Sequence, residues 1–235
     1  MKKLELLVFG DLNGCDCAAE RAINLAKDRC CRAVFLGNYI GRGGNSLLTL
    51  QLLLQASKEN PNWVFIRGIQ DQMFLDLEEK HQRVGTEIPE KHANAASNHF
   101  KYIINKFRML SHVNKYQLFD FLNLTKPVHE VPNLIFVNSP IRNDGFQLIH
   151  KSNEELISNY QMEPPWLGNP FIHGRILTTE PKLNYKGFNI NTGCGYGGYL
   201  TGMHIFNTLT TNFANQADYQ LFSISEKGRL SPLFL

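Results

Sequence analysis

The amino-acid sequence predicts an α/β fold in which two β-sheets pack together and helices flank them. In the first third of the chain, short apolar runs alternate with helical patterns, which is typical of parallel strands joined by right-handed crossovers. Later, strand patterns follow one another with only turn residues between them, which favours antiparallel pairing. The 235 residues are 43% hydrophobic, so we expect a single domain over 1–235 with a substantial core.

The predicted elements of the first third alternate between strand and helix. Buried strands are predicted at 4–10, 33–38 and 62–68. Helices are predicted at 18–29, 45–59 and 71–82. Asn45 or Ser46 is positioned to cap the second helix. The order β-α-β-α-β-α builds a parallel sheet.

The strand rhythm stops at 83–129, where the sequence predicts a helical insertion or cap. Strands are then predicted at 133–138, 170–175, 188–193, 199–207 and 219–225. The last three are closely spaced with turn residues between them, so we expect antiparallel meanders there.

Composition excludes several classes of protein. The formal net charge is only +3 and no basic run is present, so we expect no nucleic-acid partner. No stretch approaches the ~20 apolar residues of a membrane span, and the first residues lack the core of a signal peptide. We therefore expect no membrane partner and, by default, a cytoplasmic location, with export by a route without a cleavable signal left open.

The cysteines predict free thiols in a reducing compartment. There are five of them, an odd number without an export signal. Cys15 and Cys17 resemble half of a zinc site, but Cys30 and Cys31 lack the ligand spacing of the other half. Small buried thiols are the preferred interpretation.

Glycine-containing turns follow the predicted strands. They lie at 10–14, 37–44, 67–71, 137–141 and 173–177. In open α/β sheets, ligands bind at the carboxyl ends of the strands. Five such turns, each after a predicted strand, therefore predict a ligand site at the carboxyl ends of the strands.

The order and spacing of these turns resemble the calcineurin-like metallophosphoesterases. The branch that is most similar holds Ser/Thr protein phosphatases, bacterial phosphoprotein phosphatases and symmetrical diadenosine tetraphosphatases. The sequences GDLNG, GNYIGRG and RGIQD stand where that family has Gly-Asp-x-His-Gly, Gly-Asp-x-x-Asp-Arg-Gly and Arg-Gly-Asn-His-Glu. NTGCGYGGYL (191–200) is similar to the family's late Asp-Thr-Gly-Cys-x-Tyr-Gly-Gly-x-Leu. The resemblance extends from residue 4 to about residue 207.

The resemblance implies an α-β-β-α sandwich that hydrolyses phosphoesters with two divalent metals such as Mn. Such metals lie about 3.5–4 Å apart and activate a bridging water. The corresponding positions here are Asp11, Asn13, Asn38, Ile69, Asn138 and Arg175. Of these, only Asp11 retains the family ligand.

Each replacement removes a different part of the metal centre. Asn13, Asn138 and Arg175 stand where the resemblance implies histidine ligands. Asn38 replaces the aspartate that would bridge the metals, and an uncharged amide is a poor bridge between two dications. Ile69 replaces an asparagine ligand, and a branched hydrocarbon cannot coordinate.

The catalytic positions have also changed. Gln70 replaces the histidine that the resemblance implies as general acid, and a glutamine amide has no usable proton near neutral pH. Gly41 replaces the aspartate that would orient that acid. Arg42 matches an arginine that contacts phosphate, and Asp71 stands for the motif's glutamate.

His173 lies two positions before the ligand position held by Arg175. We interpret it as a hydrogen-bonded histidine near the end of the sheet. A displaced metal ligand is the alternative.

The changes together predict a pseudophosphatase with no metal cofactor. Two dications surrounded by amides would keep most of their charge uncompensated, which costs several kcal/mol per ion. Arg42 and Arg175, with nearby backbone N–H groups, are candidates for holding a phosphate. The expected partner is a phosphorylated protein, a nucleotide or another protein.

Three alternatives stay open at this point. The turns are kept only for the fold, with Arg175 paired to Asp11. The chain is a weakly active metal-dependent phosphoesterase, of Ser/Thr phosphatase or dinucleoside polyphosphate hydrolase type, built around Asp11 and His173. A cysteine enzyme using Cys15 or Cys17 is the least favoured, because no Cys-x5-Arg phosphate loop is present.

Overall fold

Two mixed β-sheets form the centre of the computed structural model. The structure describes residues 5–84, 98–141, 157, 168–184, 186–207, 213 and 216–233. Within these residues the sheets pack face to face through an apolar layer, and helices cover the outer face of the first sheet. This is the two-sheet α/β architecture that the sequence predicts.

The first sheet contains six strands in the spatial order β11-β10-β9-β1-β2-β3. Their bounds are Leu6–Phe9 (β1), Arg32–Phe35 (β2), Val64–Phe65 (β3), Tyr199–Ile205 (β9), Tyr219–Ser225 (β10) and Leu230–Pro232 (β11). β1, β2 and β3 are parallel. β9 joins them by pairing antiparallel with β1, and β9, β10 and β11 form an antiparallel meander.

The second sheet contains five strands in the order β4-β5-β6-β8-β7. Their bounds are Val128–Val131 (β4), Leu134–Val137 (β5), Phe171–His173 (β6), Lys182–Asn184 (β7) and Gly187–Asn189 (β8). β5, β6 and β8 are parallel, and β4 and β7 pair antiparallel at the two edges.

The expected antiparallel meanders among the last three predicted strands are found for β9 and β10, but the expectation is wrong for β8. β8 lies in the second sheet beside β6, where Phe188 packs into the apolar layer between the sheets. The glycine-rich stretch 193–198 then leads the chain over to β9 in the first sheet. Strand β8 therefore buries Phe188 between the sheets and does not pair with β9, the next strand along the chain.

Five helices are described: Asp16–Asp28 (α1), Ser46–Glu59 (α2), Ile69–Val84 (α3), Asn98–Arg108 (α4) and His112–Leu124 (α5). Asn45 is the cap of α2, since its side chain accepts a hydrogen bond of 3.1 Å from the backbone N–H of Leu48. None of the described helices is both long and apolar enough to cross a membrane.

The core is divided by the first sheet. Side chains alternate along β1, so Leu7 and Phe9 face the helices whereas Leu6 and Val8 face the second sheet. α4 and α5 lie within 83–129 and contribute to the same helix-side cluster as β1, for example through Ile104. Residues 85–97 of that region lie outside the described residues.

Candidate functional site

Asp11 is the centre of a buried polar cluster at the carboxyl ends of the strands. Its side chain is 2% exposed. Oδ2 accepts hydrogen bonds from Asn38 Nδ2 (2.8 Å), Asn191 Nδ2 (3.1 Å) and the backbone N–H of Arg175 (3.2 Å). Oδ1 accepts one from Asn138 Nδ2 at 3.2 Å. Both carboxylate oxygens are therefore occupied by neutral donors.

The strand order explains why these residues meet. Asp11 follows β1, Asn38 follows β2 and Asn138 directly follows β5. Arg175 follows β6, which lies beside β5, and Asn191 follows β8, which lies beside β6; all three strands are parallel. Parallel strands bring their carboxyl ends to the same edge, so residues up to 180 positions apart come into contact.

The turns at the carboxyl ends of the strands use left-handed backbone conformations and approach one another closely. Asn38 and Arg175 have φ of 50° and 65°, in the left-handed region that few residues other than glycine adopt. A side chain at Gly174 would clash with the carboxylate of Asp11, and one at Gly68 would clash with Asn38. Glycine at 68 and 174 therefore allows the turns to approach the cluster.

Burial changes the titration of Asp11. Loss of hydration raises its pKa to about 7, and the hydrogen bonds from Asn38 and Arg175 oppose that rise without cancelling it. The negative charge of Asp71 raises the pKa further, whereas the positive charge of Arg175 lowers it. The carboxyl group of Asp11 thus titrates near neutral pH.

Asp71 has a structural role beneath the cluster. It is fully buried and accepts hydrogen bonds from the backbone N–H groups of Tyr39 (2.9 Å), Ile40 (3.3 Å) and Gly68 (2.9 Å). The turn after β2 is thereby fixed to the turn after β3. Burial raises the pKa of Asp71 to about 7, although the three N–H groups favour its charged form.

A second group of side chains forms the rim of the site. Asn13 has φ of 47° and donates through Nδ2 to the Cys194 carbonyl at 2.9 Å. Gln70 Nε2 lies 3.5 Å from both Asn13 Oδ1 and the hydroxyl of Tyr196. The guanidinium of Arg42 lies 5.5 Å from the centre of the Tyr196 ring, in a cation–π contact.

The remaining predicted site residues are placed nearby. Ile69 is the first residue of α3, and the backbone N–H of Gln70 donates to Asn38 Oδ1 at 3.1 Å. Gly41 packs against Asn13 so closely that a side chain there would clash with it.

The His173 ring lies on the face of the second sheet that is turned away from the first sheet. It lies on the same side of β6 as Phe171, at 5.4 Å between ring centres, whereas Ile172 faces the layer between the sheets. Its Nδ1 is 2.9 Å from the Gly174 carbonyl, and burial lowers its pKa to about 4, so the ring is neutral. Gly174, the next residue, is the one that approaches Asp11.

Asn191 and Tyr196 were not singled out from the sequence as site residues. Asn191 binds Asp11, and its Oδ1 accepts a hydrogen bond of 3.3 Å from the backbone N–H of Gly193. The sequence does contain a signal for Asn191. This residue begins NTGCGYGGYL, at a position where the family that the sequence resembles has aspartate. Asn191 thus repeats the exchange of carboxylate for amide seen at Asn38.

Comparisons by sequence find nothing: no family model matches the chain, and no curated protein matches it. Comparisons of structure do find similar proteins. A candidate diadenosine tetraphosphatase has a TM-score of 0.62 at 13% identity, with 86% of this chain and 89% of that chain covered.

Two further solved structures are similar over most of their length. A protein serine/threonine phosphatase from Saccharomyces cerevisiae, with similarity to human phosphatase PP5, has a TM-score of 0.59 at 12% identity, covering 95% of this chain and 80% of that one. A metallophosphoesterase from Sphaerobacter thermophilus has a TM-score of 0.53 at 12% identity, covering 87% and 84%. At these identities the likeness establishes the fold alone, and the chain therefore has the fold of the calcineurin-like metallophosphoesterases, as its glycine turns predict.

Proposed function

We propose that this chain is a pseudophosphatase, a metallophosphoesterase-fold protein that binds a phosphorylated ligand without hydrolysing it. The observation that carries the proposal is the environment of Asp11. Its carboxylate accepts four hydrogen bonds from three asparagine amides and one backbone N–H. Three of these hydrogen bonds end on Oδ2 and one on Oδ1, so donors from the chain take up most of the oxygen lone pairs with which the carboxylate could coordinate a metal.

The donor set does not fit two divalent metals. Asp11 is the one carboxylate in the cluster, and Asn38, Asn138 and Asn191 direct their N–H groups toward it. To coordinate a metal, each amide would have to present its oxygen instead. Two ions would then share one negative charge in a buried site, and that cost is several kcal/mol per ion.

At the position where the resemblance implies the general acid, the described site has an amide. Gln70 lies at the rim, bonded through its backbone N–H to Asn38 and with its side-chain amide beside Asn13 and Tyr196. An amide cannot protonate a leaving alcohol near pH 7. His173, which the sequence offers as an alternative metal ligand, lies with Phe171 on the side of β6 opposite to Ile172.

Two arginines support binding of a phosphate group. Arg42 is exposed at the rim over Tyr196, and Arg175 lies close enough to Asp11 for its charge to affect the carboxyl group. Arginine is well suited to phosphate because its planar fork donates two parallel hydrogen bonds. The names of the similar structures, which include a tetraphosphatase and a protein phosphatase, agree with a ligand that carries phosphate esters.

Calorimetric titration with ATP and with a phosphoserine peptide tests the binding. We expect at least one of them to bind the wild-type chain, and we expect Arg175→Ala and Arg42→Ala each to weaken binding by about tenfold or more, since a charged hydrogen bond contributes roughly 1.5–3 kcal/mol. Arg21→Ala, on α1, is the matched control and should bind like wild type. Unchanged affinity in both arginine variants, Arg42→Ala and Arg175→Ala, would overturn the assignment of the phosphate site.

Hydrolysis is measured on the same samples. We expect no release of phosphate from p-nitrophenyl phosphate or the peptide, with or without Mn²⁺. Mn²⁺-dependent turnover that disappears in Asp11→Ala would instead establish the weakly active phosphoesterase.

A further inference from the structure

A second polar cluster lies at the opposite end of the first sheet from Asp11. Glu5 precedes β1, Cys31 precedes β2 and His204 is on β9. A carboxylate oxygen, a thiol sulfur and an imidazole nitrogen from these residues all lie within 4.8 Å of one another. We propose that Glu5, Cys31 and His204 form a binding site for one transition-metal ion of the zinc type.

The register of the first sheet brings these residues together. His204 pairs with Leu7 across the antiparallel β9–β1 pair, and Leu6 pairs with Arg32 across the parallel β1–β2 pair. Glu5 and Cys31 each precede the latter pair by one residue, so they lie side by side. The strand alternation places all three on the helix-facing side, where Leu7 and Cys31 are part of the core.

The three donors match the preferences of zinc. Cysteine, histidine and a carboxylate are its usual protein ligands, and an open site has three of them plus solvent. Thiolate and carboxylate together supply two negative charges, which balance a dication. Cys31 and His204 are 9% and 8% exposed, whereas the Glu5 side chain in its ion pair with His204 is 48% exposed. The Glu5 side is therefore the entry path and the place for a solvent ligand.

Without metal, the donors are held by hydrogen bonds. Arg29 Nη1 lies 2.9 Å from His204 Nδ1, and Glu5 Oε2 lies 3.2 Å from Nε2. A guanidinium can only donate, so Nδ1 accepts and the Nε2–H group donates to Glu5. The Cys31 thiol donates to the Arg29 carbonyl at 3.5 Å.

Binding of the ion requires small changes in this network. The Cys31 thiol releases its proton to solvent and binds as a thiolate, while the His204 ring keeps one proton and binds through the other nitrogen. The side chain of Arg29 is exposed, so it can move into water when the metal takes over its electrostatic role. No oxidation is involved, and the one bond that breaks is the S–H bond of Cys31, whose proton passes to water.

Spacing within the sequence does not reveal this site. Glu5 and His204 are 199 positions apart, and Cys31 is next to a cysteine that does not join the cluster. Zinc-binding spacings place ligands two to five residues apart, whereas here one ligand precedes β1, one precedes β2 and one lies on β9.

Titration of the full chain with Co²⁺ tests the site, because a cobalt–thiolate bond gives a charge-transfer band in the near ultraviolet. We expect one equivalent of Co²⁺ to produce the band and Zn²⁺ to abolish it by competition. Cys31→Ser should remove the band, and His204→Ala should weaken binding at least about tenfold, the loss that even an outer partner of a metal causes. Cys30→Ser, one position away and exposed, is the matched control and should keep the band.

A second measurement uses only the wild-type chain, so it does not depend on how the variants fold. Zn²⁺ should slow alkylation of Cys31 relative to Cys17, as mapped by peptide mass spectrometry. Absence of the cobalt band, with equal alkylation of Cys31 in the presence and absence of Zn²⁺, would overturn the proposal and leave a hydrogen-bonded network only. A band lost in Cys30→Ser but kept in Cys31→Ser would also overturn it.

Discussion

Asp11 and Asn38 are joined by a buried hydrogen bond of 2.8 Å from the Asn38 amide to the Asp11 carboxylate. The two residues end adjacent parallel strands, β1 and β2. In the family that the sequence resembles, both positions are acidic and hold metals between them. Here an amide donates to the acid at position 11, and the four hydrogen bonds that Asp11 accepts all come from this chain.

Restoring the second carboxylate should reverse this relationship. We expect Asn38→Asp to lower the free energy of unfolding by about 3 kcal/mol without metal, because a donor is lost and two buried carboxylates face each other. Mn²⁺ should recover part of the loss, since an ion that binds only the folded chain stabilises it. Chemical unfolding with and without Mn²⁺ measures both effects.

The control for this substitution is Asn24→Asp, on the exposed face of α1. It should change stability by less than about 0.5 kcal/mol and show no response to Mn²⁺. An Asn38→Asp chain as stable as wild type in metal-free buffer would contradict the account of the cluster.

The pH dependence of stability follows from two buried acids. Asp11 and Asp71 have pKa values of about 7 in the folded chain, above the ordinary 3.8. Between about pH 4 and pH 7 the folded chain keeps protons that the unfolded chain loses. Stability is therefore highest below this window and falls as the pH rises through it, by up to about 1.4 kcal/mol per pH unit for each acid.

Replacing one of the two acids should remove its contribution to the decrease in stability between about pH 4 and pH 7. Urea unfolding from pH 4 to pH 8 should give a smaller decrease for Asp11→Asn than for wild type. Asp120→Asn, on the exposed face of α5, should reproduce the wild-type profile. Identical profiles for Asp11→Asn and wild type would show that Asp11 does not titrate in this window.

Asp71 should matter for stability more than for ligand binding. Asp71→Ala leaves the backbone N–H groups of Tyr39, Ile40 and Gly68 without their acceptor. We expect a loss of about 3 kcal/mol or more in the free energy of unfolding, since each buried unsatisfied donor costs about 1–3 kcal/mol. Asp76→Ala, exposed on the same helix, should cost much less; equal losses in the two variants would refute this role.

Gly174 tests how closely the turns approach Asp11. In Gly174→Ala the new methyl group would clash with the Asp11 carboxylate, which could move aside only by breaking some of the four hydrogen bonds it accepts. We expect a destabilisation of roughly 1–3 kcal/mol. Gly44→Ala is the control, because its neighbour there is the side chain of Asp16; thermal unfolding of both variants gives the comparison.

Much of the fold could be predicted from local patterns. Apolar runs and helical spacing locate β1, β2, α1 and α2, and the glycine turns locate the edge at which Asp11, Asn38, Asn138 and Arg175 meet. The short edge strands β4 and β7 carry too little apolar pattern to be recognised. The placement of β8 depends on packing of Phe188 against the other sheet, which local sequence does not record.

In the candidate site, too, some features follow from local sequence and others depend on packing and strand order. Asp11 and Asn38 follow recognisable strands, so their proximity could be predicted. The direction of His173 depends on the strand alternation set by Ile172, and the contact of Asn191 depends on which sheet β8 joins. The trio Glu5, Cys31 and His204 depends on strand register across the whole first sheet.

Metal content decides most directly whether the Asp11 cluster replaces the metal centre. The wild-type chain is equilibrated with excess Mn²⁺, desalted and analysed by elemental mass spectrometry. Mn²⁺ is suited to this purpose because it prefers oxygen ligands and binds a thiolate site such as that of Cys31 poorly. We expect no Mn²⁺ above the level of Asp11→Ala; two equivalents per chain, lost in that variant, would contradict the account and identify an intact two-metal phosphoesterase.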